Sequence, residues 1–210
     1  FLEWGLPNDN MEQKAMEVAE RSDIIVFIGG LSPELEGEEM DVDLSGFKGG
    51  DRTDIDLPDS QINFLKKLHA TGKPVILVLM NGSALAINWA DENIPAILEA
   101  WYPGQSGGAA IADILFGDYN PAGRLPVTFY KSEDQLPPFE NYDMKGRTYR
   151  YFEGDPLYEF GFGLSYTEFT YTGIVIKSEY STRDTIKVLV ELKNTGNLAG
   201  DEVVQLYLRH

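Results

Sequence analysis

Cysteine is absent from the 210 residues, and histidine occurs only at His69 and His210. Without thiols there is no disulfide, no thiolate nucleophile and no Cys-ligated metal, and the redox compartment is left open. The two histidines fall on different expected elements and neither has a His or Cys neighbour. A metal site or a Ser-His-Asp triad is therefore not expected, no cofactor is expected, and His69 reads as a helix-surface or interface residue. Basic residues are scarce, 17 Lys and Arg against 34 Asp and Glu, for a formal net charge of −17. Phosphate backbones and anionic membrane surfaces are both bound by clustered Lys and Arg, so neither nucleic acid nor membrane is an expected partner. Neutral ligands such as sugars stay open. No apolar run reaches the roughly 18 residues of a membrane-spanning helix. The opening residues 1–7 have neither the basic n-region nor the long apolar core of a signal peptide. They start in apolar side chains without an initiator Met, and the expectation is a chain taken from a longer protein.

What is present is an ordinary globular composition, 43% hydrophobic and 24% charged, enough for one large domain or a medium domain plus a small one. The first part alternates helix and strand. Asp9 and Glu12 have capping-box spacing, and Met11, Ala15, Val18 and Ala19 fall on one helical face. The apolar run 24–28, ended by Gly29-Gly30, predicts a strand buried on both faces of a parallel sheet. Leu57-Pro58-Asp59 opens a second helix with Ile62, Leu65 and Leu68 inward and Gly72 as its stop. Residues 74–80 and 96–101 predict two further buried strands, and 108–116 a helix stopped by Gly117. Residues 125–130 predict a short edge strand, because Pro126 cannot donate to a ladder. Strand–helix–strand alternation with short links makes this an α/β fold, a mostly parallel sheet flanked by helices, over residues 1–130.

The pattern changes after Tyr130. Residues 131–164 are rich in Pro, Gly and aromatics without a sustained period, and read as an ordered connector. From 165 the period becomes two: Ile186, Val188, Val190 and Leu192 alternate with Lys187, Leu189, Glu191 and Lys193. Residues 194–197 mark a turn and 203–208 a further strand. Residues 165–210 thus predict an incomplete antiparallel β-sandwich, with too few strands to close.

One segment concentrates reactive groups. Glu34, Glu36, Glu38 and Glu39 lie within six residues just after the first expected strand, and the loop continues to Gly49-Gly50-Asp51-Arg52. Ligands of open α/β sheets bind beyond the carboxyl ends of strands, and long loops in compact domains are commonly functional. Crowded carboxylates repel one another, which favours a proton-carrying acid within the cluster. For any single glutamate, spacing alone favours a solvated acidic loop. Other signals are weaker. Glu38, Glu39, Asp41 and Asp43 lack an EF-hand continuation. Gly161-Phe162-Gly163 lacks a dinucleotide loop's third glycine and reads as relief of crowding among aromatics. Asn81-Gly82-Ser83 matches a glycosylation sequon but reads as a turn. Trp101-Tyr102-Pro103-Gly104 reads equally as a sugar platform at a strand end or as aromatic core.

These residues resemble glycoside hydrolase family 3. The resemblance is carried, in order, by Val26-Phe27-Ile28-Gly29-Gly30 with the acidic loop, Gly50-Asp51-Arg52 with Asp56-Leu57-Pro58, and Val78-Leu79-Met80-Asn81-Gly82-Ser83. It continues through the runs at 100–108, 112–117 and 120–126, and through Tyr158-Glu159-Phe160-Gly161-Phe162-Gly163-Leu164-Ser165-Tyr166-Thr167, which resembles the entry into a fibronectin type III-like domain. The family implies an N-terminal TIM barrel, then an α/β sandwich, and a retaining exo-acting β-glucosidase or β-xylosidase working on β-linked oligosaccharides or glycosides. A barrel Asp is the nucleophile and a Glu of the second domain is the general acid/base. On this resemblance Glu36 matches the acid/base position, Glu38 is the runner-up and Glu34 the third choice. Asp51 and Arg52 match a recurring family pair and are expected to anchor the loop as an ion pair. With no barrel in these residues, the chain by itself is expected to hydrolyse nothing. The alternative is a non-catalytic carbohydrate-binding or scaffolding module, with a flavodoxin-like small-molecule domain a weaker third. Periplasmic or secreted placement is favoured over cytoplasmic.

Overall fold

The computed structural model describes residues 9–33, 35–36, 45–49 and 51–208. Glu34, Glu38, Glu39, Asp41, Asp43, Gly50 and His210, all considered above, lie outside the described residues, as does the side chain of Asp9. The first elements are helix α1 (Asp9–Glu20), strand β1 (Ile25–Gly30), a small antiparallel pair β2 (Phe47–Lys48) and β3 (Asp51–Arg52), and helix α2 (Asp59–Ala70). Strand β4 (Val75–Met80), helix α3 (Asn88–Asn93), strand β5 (Ala96–Glu99) and helix α4 (Gly107–Phe116) follow. A one-turn helix α5 (Thr148–Tyr151) precedes strands β6 (Phe169–Ile176) and β7 (Val188–Asn194).

The main sheet has the order β1-β4-β5, all parallel, with Gly30 paired to Met80 and Leu79 to Glu99. It is the α/β fold expected, a parallel sheet flanked by helices and followed by antiparallel strands. β4 is the central strand, and Val75, Leu77, Val78 and Leu79 are essentially fully buried. Against it α2 packs Phe64, Leu65 and Leu68, and the segment after β4 adds Leu85, Ile87, Ala90 and Ile94. Gly72, at φ +74°, ends α2 where a side chain would be strained.

The chain forms two compact units. The first comprises residues 1–108 with 126–160, the second 109–125 with 161–210. These units do not coincide with the linear divisions read from composition: residues 131–160 cluster with the sheet unit, and 109–125 with the unit of β6 and β7. Within the second unit, β6 and β7 pair antiparallel with an irregularity between Thr172 and Val175, where Gly173 has φ +62°. Asn120 accepts a hydrogen bond from Ser165 Oγ at 2.9 Å and donates one to the Ala199 carbonyl, and Arg124 forms a well-shielded ion pair with Glu202 at 3.0 Å.

Several local expectations are corrected. β1 is not covered on both faces: it ends the sheet, and Val26 and Ile28 are 46% and 58% exposed among the described residues. The same holds on α1, where Ala19 is buried but Met11 and Val18 are not. Residues 125–130 form no regular strand; Pro126 interrupts donation and the pairing shrinks to one bridge, Phe129 with Tyr158. Residues 203–208 form no regular strand among the described residues. β5 stops at Glu99 rather than Trp101, because Trp101 takes a left-handed φ of 52°. The glycines at 161 and 163 answer other neighbours than aromatics: a Cβ at Gly161 would meet the Gln205 amide, and one at Gly163 the Gly123 carbonyl oxygen at 2.5 Å. Helices α3 and α5 went unforeseen; each is short, at six and four residues, and neither shows a sustained period.

Candidate active site

Three loops leave the carboxyl ends of β1, β4 and β5 and meet on the Glu36 carboxylate. The first is set by its apolar residues. Leu31 and Leu35 are both buried in the core, each worth about 1.5–3 kcal/mol on burial. Between them Ser32 closes a turn: its Oγ accepts the Leu35 N–H at 3.1 Å and its carbonyl accepts the Glu36 N–H at 2.9 Å. The start of the loop is clamped as well. Gln61 of α2 accepts the Gly30 N–H and donates to the Gly30 carbonyl, both at 2.7 Å. Gly30 itself has φ +119° and sits so close to the Met80 carbonyl that a Cβ would collide with it. Glu36 is thus held one residue beyond a fixed apolar anchor.

The other two loops supply donors. Ser83 Oγ donates to Glu36 Oε1 at 3.0 Å, and the Tyr102 hydroxyl donates to Glu36 Oε2. Burial first, and then the bond to Glu36, push the Tyr102 phenol above its ordinary value, so it remains a neutral donor. Arg52 is partly buried beside them. Its guanidinium donates to the Asp56 carbonyl at 2.8 Å and to Ser83 Oγ at 3.4 Å. Burial lowers its pKa, and Glu36, Asp54 and Asp56 pull it back up, so a cation faces Glu36 at neutral pH. The expected Asp51–Arg52 ion pair is not formed among the described residues. Arg52 anchors the site through the Asp56 carbonyl and Ser83 instead.

Behind the donors, Glu99 links the second and third loops. Its Oε1 accepts the Trp101 N–H at 3.0 Å and its Oε2 accepts Asn81 Nδ2 at 3.2 Å; the same Nδ2 also donates to the Ser83 carbonyl at 2.8 Å. Burial pushes the Glu99 carboxyl up to about 7, against the opposing effect of its two hydrogen bonds. Asn81 is 0% exposed, which agrees with the turn reading of Asn81-Gly82-Ser83 over the sequon. Gly82 leaves no room for a side chain: a Cβ would stand 2.8 Å from the Tyr102 ring and 3.1 Å from Glu36 Oε2. Beside this group a cavity of about 590 Å³ is lined by Ser83, Trp101 and Thr128 among others. His69 is exposed and packs edge-on against Trp89, away from any such cluster. No group of three or more His, Cys, Asp and Glu among the described residues could hold a metal, and no described helix is long and apolar enough to cross a membrane.

Of the residues singled out in the sequence, the structure brings together Glu36, Arg52, Ser83 and Tyr102. Glu99 was passed over as part of a strand. Its signal was available: one acidic residue ending the apolar run Ala96-Ile97-Leu98.

The class these features define is an α/β domain that presents one carboxylate from loops at the carboxyl ends of parallel strands. The profile of the glycosyl hydrolase family 3 C-terminal domain matches residues 5–166. The chain belongs to glycosyl hydrolase family 3 and spans its C-terminal domain. It is 54% identical over 187 residues to a xylan 1,4-β-xylosidase of Xylanibacter ruminicola, covering 89% of this chain and 21% of that protein. It is 41% identical over 212 residues to a periplasmic β-glucosidase of Salmonella typhimurium, covering 95% and 26%. Among solved structures, a β-glucosidase from Erythrobacter marinus aligns with TM-score 0.77 at 40% identity, over 92% of this chain and 26% of that one. A family 3 β-glucosidase from Bifidobacterium adolescentis aligns with TM-score 0.79 at 29% identity, over 95% and 30%. The chain therefore spans about a quarter of the length of the curated relatives it matches.

Proposed function

We propose that this chain supplies the general acid/base, Glu36, of a retaining exo-acting β-glycosidase, a β-glucosidase or β-xylosidase. A TIM barrel in the same protein would carry the nucleophile and bind the β-linked glycoside. The observation that carries the reading is the convergence of Ser83 and Tyr102 on the two oxygens of Glu36, at the carboxyl ends of three parallel strands. Membership of the family and the names of the relatives support it. In this reading the barrel's Asp attacks the anomeric carbon while Glu36 gives its proton to the departing glycosidic oxygen. Glu36 then takes a proton from the water that hydrolyses the glycosyl-enzyme. Retention needs the two carboxyls about 5–5.5 Å apart, so catalysis requires barrel and α/β domain to be docked. Ser83 and Tyr102 fix the direction of the carboxylate, and Arg52 balances its charge when the proton has left. Residues 165–210 begin a fibronectin type III-like domain. The similarity to a periplasmic β-glucosidase favours placement outside the cytoplasm, which cell fractionation tests.

The test is Glu36→Gln in the full-length protein. General acid catalysis contributes about 10²–10⁴-fold, so kcat/KM on a disaccharide should fall by that factor. A dinitrophenyl glycoside, whose leaving group needs no proton, should largely keep its kcat/KM. Azide should restore turnover and yield the β-glycosyl azide. A fully active Glu36→Gln enzyme together with an inactive Glu38→Gln one would move the assignment to Glu38.

A further inference from the structure

We propose that Glu99 is a positioning residue for Glu36: by bridging Asn81 and Trp101 it fixes the two loops whose Ser83 and Tyr102 hold that carboxylate. The proposal rests on the acid/base reading of Glu36. Neither bond of Glu99 serves the core. One oxygen holds Asn81, whose Nδ2 also binds the Ser83 carbonyl, and the other holds the Trp101 N–H, one residue before Tyr102. The two arms of this bridge therefore end at the two donors of Glu36. A carboxyl withdrawn from water is costly unless its bonds return something locally, and an apolar side chain would fill the end of β5 at lower cost.

The backbone gives a second, independent sign. Trp101 is one of two non-glycine residues with positive φ among those described, at 52°. Such a conformation costs about 1–3 kcal/mol and persists only where the surroundings impose it. Here the imposing contact is the Glu99 carboxylate on the Trp101 N–H. The strained turn aims Tyr102 back towards the loop after β4, where Gly82 admits its ring only because it has no side chain. Asn81 also stands fully buried with its Oδ1 lacking a partner among the described residues. Its amide is therefore oriented by the Ser83 carbonyl and Glu99 alone. Loss of Glu99 would free both loops without removing any group that touches substrate.

The experiment is Glu99→Gln in the full-length enzyme, alone and combined with Glu36→Gln. At pH 8, where Glu99 is ionised, Gln keeps the volume but offers one acceptor oxygen where the carboxylate meets two donors. A displacement of about 1 Å at a reacting group can cost about 10²-fold. We expect kcat/KM on a disaccharide to fall about 10- to 100-fold, with about threefold or less on the dinitrophenyl glycoside. In the Glu36→Gln background the same change should cost almost nothing, since the group it positions is gone. Should Glu99→Gln fail to fold, Asn81→Ser cuts the other arm of the bridge and is expected to give the same signature. Equal losses on both substrates, or an undiminished loss in the Glu36→Gln background, would overturn the positioning role and leave the acid/base reading intact. A Glu36→Gln enzyme without leaving-group dependence would overturn both.

Discussion

Changing Glu99 to Gln should also change how stability responds to pH. Burial raises this carboxyl from its ordinary 4.5 to about 7, because charge is costly away from water; the Trp101 N–H and Asn81 amide favour the charged form but do not win. Between those two values the folded protein holds a proton that the unfolded chain has released. Unfolding free energy therefore falls as pH rises. The contribution is fully present below about 4.5 and is lost as pH climbs through about 7. At ~1.4 kcal/mol per pH unit the window is worth about 3 kcal/mol. A glutamine at this position does not titrate. The assay is urea denaturation of the wild-type and Glu99→Gln proteins from pH 4.5 to 8, followed by tryptophan fluorescence. The wild-type value minus the Glu99→Gln value should fall by about 3 kcal/mol across the range, most steeply between pH 5 and 7. A difference that stays flat, or that grows with pH, would refute a raised carboxyl at this site.

Two further outcomes follow from the packing. Gly82→Ala should push the Tyr102 ring and the Glu36 carboxylate apart, lowering kcat/KM on a disaccharide by about 10- to 100-fold; the associated overpacking costs about 1–3 kcal/mol in a urea melt. Wild-type kinetics in that variant would contradict the close contact. Leu65→Ala removes a fully buried side chain between α2 and the sheet, and should lower unfolding free energy by about 2–5 kcal/mol. A midpoint within error of wild type would mean that α2 does not pack there.

Much of the sheet unit was legible in the sequence, for identifiable reasons. Residues 74–80 are apolar without interruption because β4 has neighbours on both sides and cover on both faces. Helix α2 carries a long amphipathic period with Gly72 as punctuation. The same reasoning overreached at 24–28, since an apolar run shows what can be buried and not what covers it. It also overreached at 203–208, an apolar-rich run that forms no regular strand among the described residues. The acidic loop was found from its position after a strand. The choice of Glu36 within it came from resemblance, because one-dimensional spacing does not register that Leu31 and Leu35 enter the core while the residue after them faces outward. Ser83 and Tyr102 lie 47 and 66 residues from Glu36. Only the sheet register brings them to it, so each was read locally, as a turn and as a platform.

The anchors of Glu36 among the described residues lie before it in the chain or on other strands. Leu31, Leu35 and the Ser32 turn precede it, and Ser83 and Tyr102 reach it from elsewhere. Each of these contacts is made by residues outside 37–50. Doubling the length of such a segment costs only about 0.6 kcal/mol in closure entropy. Under the proposed acid/base role, the proton donor is thereby placed by contacts made outside residues 37–50. A change of length within 37–50 is expected to leave the Ser32, Ser83 and Tyr102 bonds to Glu36 in place.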